Sequence, residues 1–581
     1  MSKQNKTDNT KMWIRILCGF MGALMVFGIV VMVISTFMSS VANAAEETGG
    51  IEPYTVSTSE ISVGLCYASS AAQCYLLSCK DKLNIVSDGF SIAQASYSLN
   101  VSVDDNLYIY NGAVTNNPLG VGVLGGYHIR ISFLQSGDGS SSGDNDNPVF
   151  IVPGVSGGSS DESIFTKDNV KEYVSQFNSS SVAQKLGVYA FPSYIDGEFY
   201  MNVGEYKTEE DALETLTKLQ NEYIINAEIA APDKDVLSVH TDEYKILFET
   251  DGEENLEIHS SGDNVINNAF NEDYYGYFRF YRDNTEEKSA MQVINTLDID
   301  EYVKSVMSVE LSDAYSAEML KASAVVFRTA AHKMLIDHKL RNFDVCANSH
   351  CRIYKGCASV SERISNAVDA VSGLVLTYED EIIYPVYSES CGSTTLSLED
   401  SIGVKCEYLK SIQTNWEMTD GVYDAWKSSI SSRELYEKLT LAGYTELESG
   451  IKTVTVDRRS GNSIYATAVT FTDVLGNSVT VEGAEKIRTV LDGVVESTAF
   501  IVGKSGSKIT YGYYAENGEY AEGTRTLEGV VGYFVFCGEG YGTGVGYSLS
   551  GAEILAKQGE KYDSILFKYF LGVELAQLKT D

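Results

Sequence analysis

The chain has 581 residues, of which 80 are acidic and 43 are basic, giving a formal net charge of −37. Its length exceeds that of one ordinary hydrophobic core and predicts about three or four domains. Because no segment of the sequence forms a basic stripe that could neutralise phosphates, the composition argues against nucleic acid as a partner. We therefore expect ligands to be recognised by hydrogen bonds and shape.

The N-terminal region predicts a membrane anchor. Residues 13–38 contain a single charged side chain, Arg15, and a bilayer crossing needs roughly 20 apolar residues. This segment is preceded by the basic residues Lys3, Lys6 and Lys11. It is followed by the acidic residues Glu46 and Glu47. This asymmetry predicts a cytoplasmic tail at 1–12 and a single-pass protein of the cell membrane, with its bulk on the extracytoplasmic face. Ala-Asn-Ala at 42–44 resembles a signal-peptidase site, but the apolar run exceeds the roughly 7–15 residues of a secretory signal, which favours an uncleaved anchor.

Composition divides the chain after the anchor. Alternating apolar and polar residues at 56–135 predict a strand-rich part. Residues 136–162 predict a flexible linker, because small polar side chains cannot bury enough surface to offset their ordering entropy. Residues 163–235 predict a small α/β insert, and 236–575 form the largest domain.

The insert contains a strand, a turn and an amphipathic helix with Ala212, Leu216 and Leu219 on one side. This pattern resembles half of a sporulation-related repeat, a small module that binds peptidoglycan glycan. An ordinary strand–helix unit would have the same pattern, so both interpretations stay open.

A helix is predicted near the centre of the largest domain, within the stretch SVELSDAYSAEMLKASAVVFRTAAHKM. Glu310 ends an apolar run, and the helix begins near Ser316, a good N-cap residue. Cationic residues share one edge of the helix, at Lys321, Arg328 and His332. Strands on both sides of it predict an α+β class: a strand-rich domain with a central helical segment, the inserted α/β unit and the single N-terminal transmembrane helix.

The cysteines form two clusters. Ten are present, and Cys18 lies in the apolar segment, which leaves an odd number for a disulfide framework. Cys66, Cys74 and Cys79 predict one disulfide and a free thiol. In CANSHC, Cys346, His350 and Cys351 form a zinc-type ligand set. We predict a structural zinc with Cys357, a water or a distant residue as fourth ligand, and the alternative is a disulfide between Cys351 and Cys357.

Several segments together resemble a known family. In chain order they are VINTLDIDEYVKSVMSVEL, EMLKASAVVFRTAA, FDVCANSHCRIYKG, ISNAVDAVSGLVLTYEDEIIYPVYSESCGSTT and FCGEGYGTGVGYSLSGAEILAKQGEKYDSIL. They are similar to the stage II sporulation protein D family, which shares its domain with the amidase enhancer LytB. The resemblance implies that 236–575 is the catalytic domain of a membrane-anchored lytic transglycosylase. Such enzymes cleave glycan strands without stem peptides between N-acetylmuramic acid and N-acetylglucosamine, leave 1,6-anhydro ends, and act in engulfment during sporulation.

The resemblance also implies the site residues. The family's catalytic glutamate falls on Glu310, and its helical lysine and arginine fall on Lys321 and Arg328. We expect substrate contacts there and at four further residues of the matching segments, namely Tyr354, Ser388, Ser390 and Gly392. Hydrolytic glycosidases need two carboxyl groups, whereas a transglycosylase uses the sugar's own 6-hydroxyl group, so that one buried, protonated glutamate suffices.

The chain departs from the family pattern in its C-terminal block, where Thr543 replaces histidine and Leu549 replaces glutamine. Arg352 stands at a glutamine position, and the Ser-Gly-Gly turn is SCGST. A second hypothesis is therefore a glycan-binding scaffold that recruits or enhances a cell-wall amidase, alongside other engulfment proteins. A third is a zinc hydrolase with Glu310 as general base, against which the family resemblance argues.

Overall fold

The computed structural model describes two stretches of the chain, 59–134 and 165–578. Short interruptions inside them lie at 73, 88, 104–107, 111–112, 116–121, 124–126, 224, 232–235, 242–244, 253–255, 263–264, 269–271, 284–289, 336–340, 418–422, 462 and 516–518. The chain forms two compact units. We call Ser59–Val309 with His338–Val360 the sheet unit, and Glu310–Asp337 with Ser361–Asp581 the C-terminal unit. The domain boundaries predicted from composition stay predictions.

Within the described residues, the sheet unit is built on one large sheet of fifteen strands. Its path is β10-β7-β9-β8-β12-β11-β3-β2-β13-β16-β17-β1-β18, with β14 beside β2 and β15 beside β14. The strands are β1 Glu60–Cys66, β2 Cys74–Ser87, β3 Phe90–Val103, β7 Tyr127–Leu134, β8 Ala190–Ile195, β9 Glu198–Tyr206, β10 Ile225–Ala230, β11 Leu237–His240, β12 Ile246–Thr250, β13 Leu256–Ser260, β14 Val265–Asn268, β15 Asp273–Tyr275, β16 Tyr277–Arg282, β17 Met291–Asp298 and β18 Val345–Cys346. A smaller sheet contains β4 Tyr108–Tyr110, β5 Ala113–Thr115 and β6 Gly122–Val123.

In the part of the sheet unit that the structure describes, four helices accompany these strands, and the fourth ends at Glu310. They are α1 Val170–Asn178, α2 Ser181–Leu186, α3 Glu209–Glu222 and α4 Ile299–Glu310. The predicted strand, turn and amphipathic helix of the insert correspond to β9 and α3, and Ala212, Leu216 and Leu219 are the buried residues of α3.

Over its described residues, the C-terminal unit combines several small sheets with seven helices. The helices are α5 Ala317–Met334, α6 Glu362–Asp369, α7 Leu398–Ile402, α8 Ser432–Leu441, α9 Ala484–Val490, α10 Leu549–Lys557 and α11 Tyr562–Tyr569. The strands are β19 Leu374–Tyr378, β20 Glu381–Ile382, β21 Tyr387–Ser388, β22 Trp426–Ile430, β23 Ile451–Arg459, β24 Ala466–Asp473, β25 Ser478–Glu482, β26 Phe500–Lys504, β27 Lys508–Tyr514, β28 Tyr520–Thr526, β29 Phe534–Gly538, β30 Tyr547–Ser548 and β31 Glu574–Gln577. They pair as β20-β19-β31, β21-β30, β22-β29-β26, β23-β24-β25 and β27-β28.

Helix α5 begins where the sequence predicts. Ser316 is its N-cap residue, and Glu318 lies in the first turn. The Ser316 hydroxyl makes no capping bond, and instead the Ser316 N–H donates to Glu553 Oε2 at 2.8 Å. Almost every residue from Met319 to Ala331 is buried, so α5 is the central helix of its unit rather than a surface helix with one buried stripe.

The predicted fold class, α+β with a membrane-spanning helix, is wrong. In the residues that the structure describes, the architecture is mixed and rich in sheet, and strands outnumber helices in both units. None of the helices within 59–134 and 165–578 is both long and apolar enough to cross a membrane. The longest, α5, has 18 residues and carries Glu318, Lys321, Arg328 and Lys333. The predicted single-pass anchor and cell-membrane location are corrected accordingly; residues 13–38, on which they depended, lie outside the described residues.

Candidate functional site

Glu310 is the last residue of α4 and is half-buried. The Tyr387 hydroxyl donates a hydrogen bond to Glu310 Oε2. The Tyr387 ring also packs on Phe327 of α5, with ring centroids 5.3 Å apart. The carboxyl group of Glu310 is therefore held by a tyrosine that α5 itself supports.

Tyr387 lies on a very short strand. Strand β21 pairs in parallel with β30, and the register places Tyr387 opposite Tyr547 and Ser388 opposite Ser548. The Tyr547 hydroxyl lies 3.1 Å from Ser323 Oγ on α5. Both strands of the pair therefore contact α5. These contacts fix the position of Tyr387 along the axis of this helix.

Ser388 is buried and bonded to the segment that departs from the family pattern. Its Oγ lies 3.1 Å from Thr543 Oγ1 and accepts a hydrogen bond from the Gly544 N–H at 3.0 Å. Thr543, which replaces the family's histidine, thus supplies a hydroxyl partner to Ser388.

The turn after β21 lies between two buried carboxyl groups. Ser390 Oγ donates to Glu417 Oε2 at 3.0 Å, while Ser393 Oγ donates to Glu539 Oε1 at 3.0 Å. Gly392 lies between these contacts with a φ of +69°, and an added Cβ would lie 2.9 Å from Glu539 Cγ. The predicted site residues Ser390 and Gly392 therefore build the turn, with Gly392 required by both conformation and space.

Both carboxyl groups have raised pKa values. Burial raises the pKa of Glu417 to about 7, against hydrogen bonds from Ser548, Ser390, Cys391 and Tyr569 that lower it. Burial likewise raises the pKa of Glu539 to about 7, against the two hydrogen bonds from Ser393. Each carboxyl group thus changes its charge near neutral pH.

Lys321 and Arg328 differ in their surroundings. Lys321 is half-buried, and its Nζ donates to Glu318 Oε1 at 3.0 Å. Arg328 is only 1% exposed. Its Nη1 donates to the Val371 and Leu374 carbonyls at 2.8 and 3.2 Å, and its Nη2 to the Val368 carbonyl at 3.3 Å.

These carbonyls lie at and just beyond the C-terminal end of α6, where the helix dipole favours a cation. The structure thus gives Arg328 an internal role. Its substrate contact stays a prediction, against which this burial argues.

Tyr354 belongs to the sheet unit and is a core residue. It is buried, its hydroxyl donates to Asn295 Oδ1 at 2.5 Å, and its ring stacks on Tyr302 with centroids 5.6 Å apart. Its predicted contact with substrate also stays a prediction.

The predicted metal ligands come together in the sheet unit. The ligand atoms of Cys346, His350 and Cys351 all lie within 4.8 Å of one another. His350 Nδ1 is 3.7 Å from Cys346 Sγ and 3.4 Å from Cys351 Sγ. Tetrahedral zinc with ordinary bond lengths separates sulfur from nitrogen by about 3.6 Å, so these three residues fit zinc. No disulfide bond joins Cys351 to Cys357, both of which lie in the described part of the chain.

Tyr387, Glu417 and Glu539 were not identified from the sequence as site residues. Tyr387 stands next to the predicted Ser388, but its contact with Glu310 spans 77 residues of chain. Glu417 lies outside the segments that resemble the family, and Glu539 lies inside the last of them, where the sequence assigns it no role. A buried carboxyl group becomes recognisable only when its partners are known.

Comparisons with known proteins give a consistent family. A family described as Stage II sporulation protein matches residues 287–378, which include Glu310 and the Cys346, His350 and Cys351 cluster. An uncharacterized protein of Brachyspira hyodysenteriae is 27% identical over 305 residues, covering 52% of this chain and 72% of that protein.

Two relatives from Bacillus subtilis carry informative names. Stage II sporulation protein D is 24% identical over 305 residues, covering 50% of this chain and 78% of that protein. An amidase enhancer is 25% identical over 300 residues, covering 47% and 40%. The domain around Glu310 is therefore similar to the Stage II sporulation protein family, and the chain is similar to proteins named stage II sporulation protein D and amidase enhancer.

Proposed function

We propose that the chain is a peptidoglycan lytic transglycosylase that acts on glycan strands without stem peptides, in cell-wall remodelling during sporulation. The single observation that carries this proposal is the half-buried Glu310 carboxyl group, held by the Tyr387 hydroxyl. The names of the relatives, stage II sporulation protein D and amidase enhancer, support a role at the cell wall.

The proposed reaction needs one carboxyl group. Glu310 donates its proton to the glycosidic oxygen between N-acetylmuramic acid and N-acetylglucosamine, and the bond from C1 to that oxygen breaks. The 6-hydroxyl oxygen of the same N-acetylmuramic acid bonds to C1, and its proton passes to Glu310, which restores the acid. The product is a 1,6-anhydro end, and no water is consumed.

Two further glutamates near β21 are unsuited to act as nucleophiles. Glu417 and Glu539 are bonded to internal donors of the turn after β21. Their carboxyl groups thus support the turn, which agrees with a mechanism in which the sugar supplies the nucleophile.

Product analysis tests the proposal. The purified chain is incubated with amidase-treated glycan, and the products are identified by mass spectrometry. We expect 1,6-anhydro ends from the wild type, none from Glu310→Gln, and wild-type products from Asp313→Asn, an exposed carboxylate three residues away. Only reducing ends, or no products from a folded protein, would contradict it.

A glycan-binding scaffold that enhances an amidase is the second candidate. The relative named amidase enhancer favours it, as do the replacements at Thr543 and Leu549. A reconstituted assay with a cell-wall amidase separates the two candidates. If the chain is a scaffold, Glu310→Gln should enhance cleavage by the amidase as well as the wild type does. If the chain is an enzyme, Glu310→Gln should lose any enhancement that depends on glycan cleavage.

We also propose that Cys346, His350 and Cys351 hold a structural zinc ion. Zinc at this position would link β18 to the loop that follows it and so stabilise the sheet unit. Metal analysis should find about one zinc ion per chain, lost in Cys346→Ser, with a lower Tm after chelation. Failure of the zinc-loaded chain to retain metal through gel filtration would refute this site. If chelation abolishes turnover while the fold stays intact, the metal would instead be catalytic.

A further inference from the structure

One buried oxygen atom joins the two strands of the pair that carries Tyr387. Glu417 Oε2 accepts hydrogen bonds from Ser390 Oγ and from the Cys391 N–H, both at 3.0 Å. Only Glu389 separates these two residues from the end of β21. The same oxygen accepts a hydrogen bond from Ser548 Oγ, on β30, at 2.9 Å. Glu417 therefore ties the chain after β21 to β30.

The other oxygen of Glu417 is enclosed as well. The Tyr569 hydroxyl donates to Glu417 Oε1 at 3.2 Å and itself accepts from Trp416 Nε1 at 3.2 Å. A Cβ added to Gly551 would lie 2.2 Å from Oε1, so the start of α10 packs directly on the carboxyl group. Although Glu417 as a residue is half-buried, its carboxyl group has four donors and little room to move.

We propose that Glu417 is a positioning residue for Glu310: it holds β21 against β30 and thereby fixes Tyr387 where its hydroxyl donates to Glu310. The effect passes through the backbone of only four residues, from Tyr387 to Ser390. Its consequence for turnover rests on the proposed transglycosylase function, whereas its consequence for Tyr387 does not.

The protonation state of Glu417 should matter for this role. The titratable groups that interact with it are Cys391, Tyr465, Glu539 and Tyr569, each of which is neutral or acidic. Burial among them raises the pKa of Glu417 to about 7. The ionised carboxylate accepts from all four donors, whereas the protonated group must donate from one oxygen and loses part of these contacts.

Enzyme kinetics with a matched control test the proposal on the full chain. We expect Glu417→Gln to lower kcat on denuded glycan at least about tenfold, because small misplacements of reacting groups are costly. KM should change by less than about twofold. In the wild type, kcat should have an inflection near pH 7, where Glu417 changes its charge, and this inflection should disappear in Glu417→Gln. The control is Asp473→Asn, a buried carboxyl group of the same unit that accepts hydrogen bonds from Glu448 and Asn477 and does not contact the turn after β21. It should lose comparable stability while keeping kcat and the inflection.

A spectroscopic measurement separates this proposal from the proposed function. In protein labelled with ¹³C-tyrosine, the Cζ resonance of Tyr387, assigned with Tyr387→Phe, should titrate near pH 7 and stop titrating in Glu417→Gln. If the wild type gives no anhydro product but shows this titration, the positioning role stands and the transglycosylase function falls. If Glu417→Gln does not fold, Ser548→Ala removes the contact of Glu417 with β30, together with the hydrogen bond that the Gly551 N–H donates to Ser548 Oγ at the start of α10, and should give the same losses. Wild-type kcat and an unchanged Tyr387 titration in either folded variant would overturn the proposal.

Discussion

Replacement of Arg328 by lysine distinguishes an internal role of this residue from a role in substrate binding. The Arg328 guanidinium is 1% exposed and donates three hydrogen bonds to the carbonyls of Val368, Val371 and Leu374. A lysine keeps the charge but cannot present the planar fork that reaches three carbonyls at once. If lysine retains one of the three bonds, two charge-assisted bonds are lost at about 1.5 kcal/mol or more each. We therefore expect the free energy of unfolding to fall by about 3 kcal/mol.

Urea denaturation followed by fluorescence measures this loss. The control is Arg433→Lys, because Arg433 has an 87% exposed side chain paired with Glu437, and such a change should stay within about 0.5 kcal/mol. KM of the folded Arg328→Lys enzyme for denuded glycan should be unchanged. A variant with wild-type stability but a raised KM would refute the internal role and restore the predicted substrate contact.

Three further predictions follow from the same unit. Tyr387→Phe should lower turnover about tenfold with little change in stability, because it removes one hydrogen bond to Glu310 from a half-buried ring; unchanged product formation would contradict this. Burial raises the pKa values of Glu417 and Glu539 from 4.5 to about 7. Their contribution to stability is therefore fully present below pH 4.5 and is lost as pH rises through 7, on the order of 3 kcal/mol per group. Urea midpoints at pH 5 and pH 8 should differ less in the double variant Glu417→Gln, Glu539→Gln than in the wild type. Gly392→Ala should lower the free energy of unfolding by about 2 kcal/mol or more, because it combines positive φ with a clash. In contrast, Gly403→Ala, at φ +83° with nothing within 4 Å, should cost only the conformational part, about 1 kcal/mol.

Local sequence signals were sufficient for several elements. Helix α5 begins after Ser316, as its N-cap residue and the acidic first turn predict. The strand, turn and helix of the insert are β9 and α3, because their apolar periods of two and of three or four residues differ clearly. The cluster of Cys346, His350 and Cys351 forms within a few residues of chain, so its spacing alone brings the ligands together.

The sequence did not predict contacts between distant parts of the chain. The sequence placed Arg328 on a cationic edge, but the carbonyls that it binds lie 40 to 46 residues further along the chain. Helix periodicity describes one face of a helix and says nothing about which segment covers that face. This is why α5, predicted with one buried stripe, is buried on nearly all sides.

The sequence by itself determined the identity of the candidate acid, since the family resemblance falls on Glu310 without any structural information. Only the tertiary structure decided what surrounds it. The parallel pair of β21 and β30 is two residues long on each side, too short for any periodic signal, and it joins segments about 160 residues apart. Tyr387 reaches Glu310, and Glu417 becomes a buried carboxyl group, only because this pairing forms. Hydrogen bonds of buried polar groups depend on which segments exclude water together, and that is a property of the packed chain.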